Sequence, residues 1–533
     1  MKFFKTFLGQ SIFLCLLSSS LFAQQNICID STNSAEELSL ALCPSCVNKI
    51  AAGSNITNFY SSSDTGRTWH HGTMQSTYGV YGDPTLICDT AGNFYFIHLS
   101  NPPIKGYWLD RMVCQKSTDG GVTWNNGSYA GHAQDYVHSS PERNQDKPGA
   151  VVDFSHSPYR GHIYLSWTQF DKYDSHVSTD SSHIFFAQSD DTGSSWTAPI
   201  RLDNKGGDCL DGDLTDEGAV PCVGPEGEVY VAWAGPNGLV FKKSIDGGMN
   251  WSAEEKKITP IIGGWDYDVS GIFRSNGLPM ICCDLTNGPY RGTIYIGWSD
   301  QRNGSDNTDI WYVKSTDKGE TWSPPLRINN DDSHRQQFMT WLSIDPVTGY
   351  LYSLFYDRRE HGGDTTDVYL AVSKDGGNNF CNFRINDRHF VPKESVFFGD
   401  YIDVVAYNNI VRPMWMQLYK YKLCMYTAII NPGDLDWALY TPPGPRVTNS
   451  SCEIGGNNES IWFTYNLENM GRINLSVIDM QGKQVYGIYN NWMMKEGPHE
   501  YLLNTKKVNL KPGVYAYKLE AGENKTYKTF LVY

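Results

Sequence analysis

The chain has 533 residues, of which 14% are aromatic and only 19% charged, with 50 glycines and a formal net charge of −15. That length exceeds one ordinary core and leaves room for a large repeat domain plus a smaller one. The acidic balance excludes a nucleic-acid partner, which needs a basic face, while leaving open an anionic sugar held by a few local arginines.

The chain opens with Lys2 and Lys5, a mostly apolar run from Phe7 to Phe22, and the small residue Ala23 before Gln24-Gln25. This predicts a signal peptide over 1–23, removed on export. A membrane anchor is the alternative, but the run is short and no charged stop-transfer follows it. No later segment is long and apolar enough to span, so no transmembrane segment is expected after cleavage. Of 13 cysteines, all but Cys15 lie beyond the signal. In an oxidising compartment some should pair, with Cys209–Cys222 and Cys28 with Cys43 or Cys46 the nearest partners in sequence. Cys43-Pro44-Ser45-Cys46 lacks a second ligand pair at zinc spacing and is read as structural.

The next feature decides the fold. A pattern Ser-x-Asp-x-Gly-x-Thr-Trp recurs at Ser62–Trp69, Ser117–Trp124, Ser189–Trp196, Ser244–Trp251, Ser315–Trp322 and, more degenerate, Ser373–Phe380, its aspartates spaced by 55, 72, 55, 71 and 58 residues. The aspartate is suited to accept hydrogen bonds from amides of its own loop, and glycine supplies backbone freedom. The tryptophan is expected to bury its ring between sheets. A residue repeated with every unit is a staple rather than a catalyst.

Ahead of each pattern comes a short apolar strand, a turn and an aromatic-rich alternating strand. These run Glu37–Cys43 with Lys49–Gly53, Pro84–Asp89 with Asn93–Leu99, Ala150–Phe154 with His162–Trp167, and Ala219–Val223 with Glu228–Trp233. Leu278–Asp284 with Thr293–Trp298, Trp341–Asp345 with Tyr350–Tyr356, and Tyr401–Ala406 with Ile410–Gln417 complete the series. Such sheets cannot bury both faces alone, so radial packing is the natural solution. The expected fold is all-β, a seven-bladed β-propeller over 36–430, with six blades as the alternative if the first and last units merge. These Asp boxes make the region resemble the bacterial neuraminidase repeat, or sialidase-like, propeller family. The resemblance implies that the boxes lie on the face opposite the binding site.

Residues 431–454, with Pro442-Pro443-Gly444-Pro445, read as a linker. Beyond it, alternating strands at 461–467, 474–480, 483–489, 515–520 and 525–532 predict a small immunoglobulin-like β-sandwich over 455–533. Val477-Ile478-Asp479-Met480-Gln481-Gly482, Leu510–Tyr517 and the terminal Thr529–Tyr533 resemble the C-terminal sorting domain of type IX secretion substrates. That resemblance implies the type IX machinery as a partner and export across an outer membrane. An accessory carbohydrate-binding sandwich is the alternative.

In propellers of this type, ligands bind where innermost strands begin. Asp83, Asp146, Glu217 and Asp400 stand at those positions. Crowded together, such carboxylates repel one another and some should have raised pKa values, which is how a glycosidase obtains a general acid. Calcium binding or simple capping of strand ends are the alternatives. Two similar loops, Asp300-Gln301-Arg302 and Asp357-Arg358-Arg359, offer Arg302 and Arg358 for an anionic sugar, or for bracing their own loops. The Phe/Tyr-Arg-Ile-Pro signature of true sialidases does not precede Ser62. Phe273-Arg274-Ser275-Asn276 begins similarly without Ile-Pro, and no motif supports Tyr401 as a nucleophile. No cofactor is implied, and no residue set assigns a metal.

Two functions follow. One is an exported glycoside hydrolase, exo-sialidase-like, on extracellular glycans or glycoproteins, with Asp83, Glu217 and Asp400 as catalytic pool and Arg302, Arg358 and Asp146 binding substrate. The other is a non-catalytic surface propeller acting as adhesin or scaffold. Metallopeptidase and serine-hydrolase motifs are missing.

Overall fold

A computed structural model describes residues 25–131, 143–435, 437, 447–454, 460–467, 471–494, 497–521 and 524–532. The expected signal peptide and the Pro442–Pro445 run lie outside the described residues. No α-helix occurs among the described residues, and no helix there is long and apolar enough to cross a membrane.

Among the described residues, 25–131 and 143–430 fold into seven four-stranded antiparallel sheets and one two-stranded ribbon. The innermost strands are Ser39–Leu42, Thr85–Cys88, Asn144–Val152, Glu217–Val223, Met280–Cys283, Gln337–Ile344 and Asp403–Tyr407. Each touches the next, the seventh touches the first, and all seven line one axial cavity of about 280 Å³. This is a β-propeller. The chain closes it with a strand the sequence pattern did not reveal: Gln25–Asp30 pairs antiparallel with Lys422–Ile429 and completes the last sheet. That sheet has no fourth strand of its own, because the chain leaves for the C-terminal region after Ile429.

Second strands carry the largest buried rings, among them Trp167, Trp233, Trp298 and Trp415. The six repeated turns join third to fourth strands, at the end of each sheet away from where the innermost strand begins. In the first, Asp64 Oδ1 accepts the Ser62 hydroxyl at 2.9 Å and the amides of Arg67 and Thr68 at 3.0 and 2.9 Å, while Oδ2 accepts the Thr68 hydroxyl at 2.7 Å. The other five repeat this network at Asp119, Asp191, Asp246, Asp317 and Asp375. Gly319 shows why glycine is needed: φ is +79°, and a Cβ would lie 2.4 Å from the Phe241 ring of the preceding sheet. The motif tryptophans are only half-buried, contrary to expectation. Trp251 and Trp322 meet Phe186 and Phe241 of the preceding sheet edge-on at 4.8 and 5.1 Å, because the turn sits at the rim rather than inside the sheet stack.

The predicted disulfides are not formed; all twelve described cysteines are free. Cys222 lines the axial cavity, whereas Cys209 sits in a loop bridged to Ser175, and both are free. Cys28, on the closing strand, faces Tyr426 rather than Cys43 or Cys46.

Residues 447–532 form a sandwich of a three-stranded and a four-stranded sheet, with Phe463 against Tyr517 at 4.3 Å in its core. Its first strand, Val447–Ile454, lies within the stretch expected to be linker.

Candidate functional site

The innermost strands begin with irregular backbone, and that irregularity builds the site. Glu37, Asp83, Lys147 and Met339 have φ of 55°, 50°, 48° and 50°, and pairing skips between Asp146 and Gly149, Glu217 and Val220, and Phe338 and Trp341. A bulge turns a side chain off the sheet face. Here it turns several toward the axis, above a cavity of about 80 Å³ lined by Lys147, Asn276, Asp400 and Tyr401.

Lys147 is the centre. Its ammonium bonds Asp400 and lies 3.5 Å from Asp83 and 3.8 Å from Glu37. Arg274 grips the same Asp400 with a two-pronged fork, Nε donating to Oδ1 at 2.7 Å and Nη2 to Oδ2. Its remaining Nη1 is 3.5 Å from Asp211, which also accepts the Tyr173 hydroxyl at 2.6 Å. Asn55 donates to Glu37 and accepts the Asp83 amide at 2.8 Å. Arg274 reaches in from the ribbon of Asp266–Tyr267 and Ser275–Asn276, between the fourth and fifth sheets. Asn276 of that ribbon donates to the Asp400 carbonyl at 2.9 Å.

Burial opposes ionisation of Asp400, but Lys147 and then Arg274 outweigh it and hold its carboxyl below the usual range. The same exchange holds Lys147 firmly protonated despite its burial. Three other acids go the opposite way. Burial, reinforced by Asp83, pushes Glu37 and Asp146 well above the ordinary carboxylate range, and burial, Asp211 and Asp146 do the same to Glu217. Glu217 is fully buried, and neither carboxyl oxygen has a hydrogen-bond partner. The site therefore combines an ion-paired carboxylate with neutral carboxyls, the combination on which acid–base chemistry depends.

Around the cluster stands an aromatic rim. Trp108, 39% exposed, meets Tyr81 and Tyr173 edge-on at 5.8 and 5.9 Å; across the mouth Phe273, 62% exposed, meets Phe397 at 5.9 Å.

The structure thus brings Asp83, Asp146, Glu217 and Asp400 together. It does not bring Arg302 or Arg358 to them. Arg302 forks onto Asp300 in its own loop and lies over Trp311. Arg358 is buried over Phe338 and donates to the Ser270 carbonyl at 2.7 Å and to Gln336 at 2.9 Å; burial pushes its pKa down to about 10. Tyr401 donates to the Pro84 carbonyl at 3.3 Å, and burial raises its pKa well above the ordinary value. Sequence reasoning missed Glu37, Lys147, Asp211 and Arg274. Glu37 does open the first unit as the other acids open theirs, and Arg274 lies in the Phe273–Asn276 phrase, but neither carries a signal of its distant partner. Among the described residues only Glu360, His361 and Asp367 cluster at metal-ligand spacing, on the loop after the sixth sheet's second strand. Arg384 already lies 3.4 Å from Glu360 and 4.0 Å from Asp367 there.

Residues 457–533 match the secretion system C-terminal sorting domain. The chain is accordingly a type IX secretion substrate, exported to the cell surface or the extracellular space. No curated protein matches it. Similar solved structures include the NanB sialidase of Streptococcus pneumoniae (11% identity, 73% of this chain and 84% of that one, TM-score 0.41). They also include the α-L-arabinofuranosidase Arb93A of Fusarium graminearum (11%, 76% and 97%, 0.40) and an α-L-arabinanase of Penicillium chrysogenum (13%, 76% and 97%, 0.39). Likeness at this level carries no argument about chemistry.

Proposed function

We propose that this exported propeller acts on extracellular glycans as a glycoside hydrolase, with Glu217 as the proton donor and Asp83 as the partner carboxylate. The observation that carries the reading is Glu217: a fully buried acid with both oxygens unpartnered, kept protonated by burial and by Asp211 and Asp146. A neutral carboxyl with no structural hydrogen bond is poised to give its proton to a leaving oxygen. Asp400 leaves the catalytic pool, because both its oxygens are committed to Lys147 and Arg274; it acts as a positioning residue. Asp146 supports Glu217 by standing beside it, where a second negative charge is disfavoured. The repeated turns are Asp boxes that hold the sheets. Incubating the secreted protein with a panel of oligosaccharides and measuring released sugar tests the reading. Release is expected from wild type and not from Glu217→Gln; equal release from both overturns it. The rim of Trp108, Tyr81 and Phe273 favours a second reading, a surface lectin that binds through ring stacking. Binding without release would select that one.

A further inference from the structure

Resting on that reading, we infer that the mouth takes neutral sugar chains and discriminates against carboxylated or sulfated ones. Six carboxyl groups stand in the cluster, and even with Glu37, Asp146 and Glu217 neutral, Asp83, Asp211 and Asp400 outnumber the two cations, Lys147 and Arg274. Both cations are already spent on Asp400. Arg274 is the more accessible, with 38% of its side chain exposed, but its third nitrogen faces Asp211. Turning it to a ligand anion would strip Asp400 of one of its two partners, so the exchange gains little. Arg302 and Arg358, whose loops suit an anion by their sequence, are held by Asp300 and by Ser270 and Gln336 respectively. Among the described residues an anionic group would therefore meet a surplus of carboxyls with no uncommitted cation.

Sugar hydroxyls suit the same surface. Each can donate to Asp211, whose side chain is 21% exposed, without bringing charge to the cluster. The apolar faces of pyranose or furanose rings suit Trp108, Tyr81 and Phe273. The rim thus supplies contact area and the floor supplies direction, with no step that requires a cation.

Titrating the full secreted protein at low salt with a neutral oligosaccharide, the same oligosaccharide capped with sialic acid, and a sulfated form tests this. The charged forms should bind at least tenfold more weakly, and added salt should narrow the gap by screening the repulsion. Asp211→Asn should also narrow it, with folding checked by its thermal melt. Equal or tighter binding of a charged form, or a gap that neither salt nor Asp211→Asn changes, overturns the inference while leaving the glycan reading intact. Failure to bind any of the three overturns the glycan reading, and this inference with it.

Discussion

Carboxylates at the two ends of the propeller have opposite fates. On the face of the repeated turns, the four aspartates Asp64, Asp119, Asp191 and Asp317 have pKa values lowered to about 2. Slight burial works against Asp64, but the hydroxyl and amide of Thr68 outweigh it. At the mouth, Glu37, Asp146 and Glu217 are buried without enough donors and are pushed up. One side-chain chemistry serves as a staple where local donors surround it and as an acid where they do not. Hydrogen-bond supply and not residue type separates structure from chemistry here.

The largest effect that would break this contrast is at Glu217. Glu217→Gln keeps the shape and removes the proton, and turnover should fall by ~10²–10⁴-fold while the melting temperature holds or rises. Loss of fold with it would mean that the mouth acids are structural after all. Next is Lys147→Met, which leaves Asp400 with Arg274 alone and Asp83 and Glu37 uncompensated. Denaturant unfolding should show a loss of ~3–5 kcal/mol, as for other broken buried pairs. Asp64→Ala removes one staple of six and should cost ~1–2 kcal/mol with turnover unchanged.

The smallest effect sharpens the contrast through pH. For Asp64 the folded value, about 2, lies below the ordinary 3.8, so its stabilisation is present above about pH 4 and fades as pH falls toward 2. For Glu217 the folded value lies above the ordinary 4.5, so the unfolded chain ionises first and stability declines as pH rises beyond about 4.5. Melting temperature should therefore peak at mildly acidic pH. Glu217→Gln should flatten the decline on the alkaline side by ~1.4 kcal/mol per pH unit, one proton's worth. An unchanged slope would mean that Glu217 is ionised in the folded protein.

Much of the fold was legible from short stretches. Each repeated turn is closed by bonds spanning at most four residues, so its chemistry is written in consecutive letters. Strand alternation located the innermost strands, and with them Asp83, Asp146, Glu217 and Asp400. What failed depended on distant partners. Gln25–Asp30 has no strand pattern of its own and is held by pairing with Lys422–Ile429. The motif tryptophans look like core residues by composition, yet their turns fall at the rim.

The sequence alone determined that hairpins repeat, that their staples are local, and that the chain carries an export domain at its end. Only the tertiary structure decided which charges meet: Lys147 and Asp400 are 253 residues apart, and Arg274 and Asp400 are 126 apart. The physical reason is that a turn's hydrogen bonds are fixed by backbone spacing, whereas a charge's partner and burial are fixed by how the sheets close around the axis.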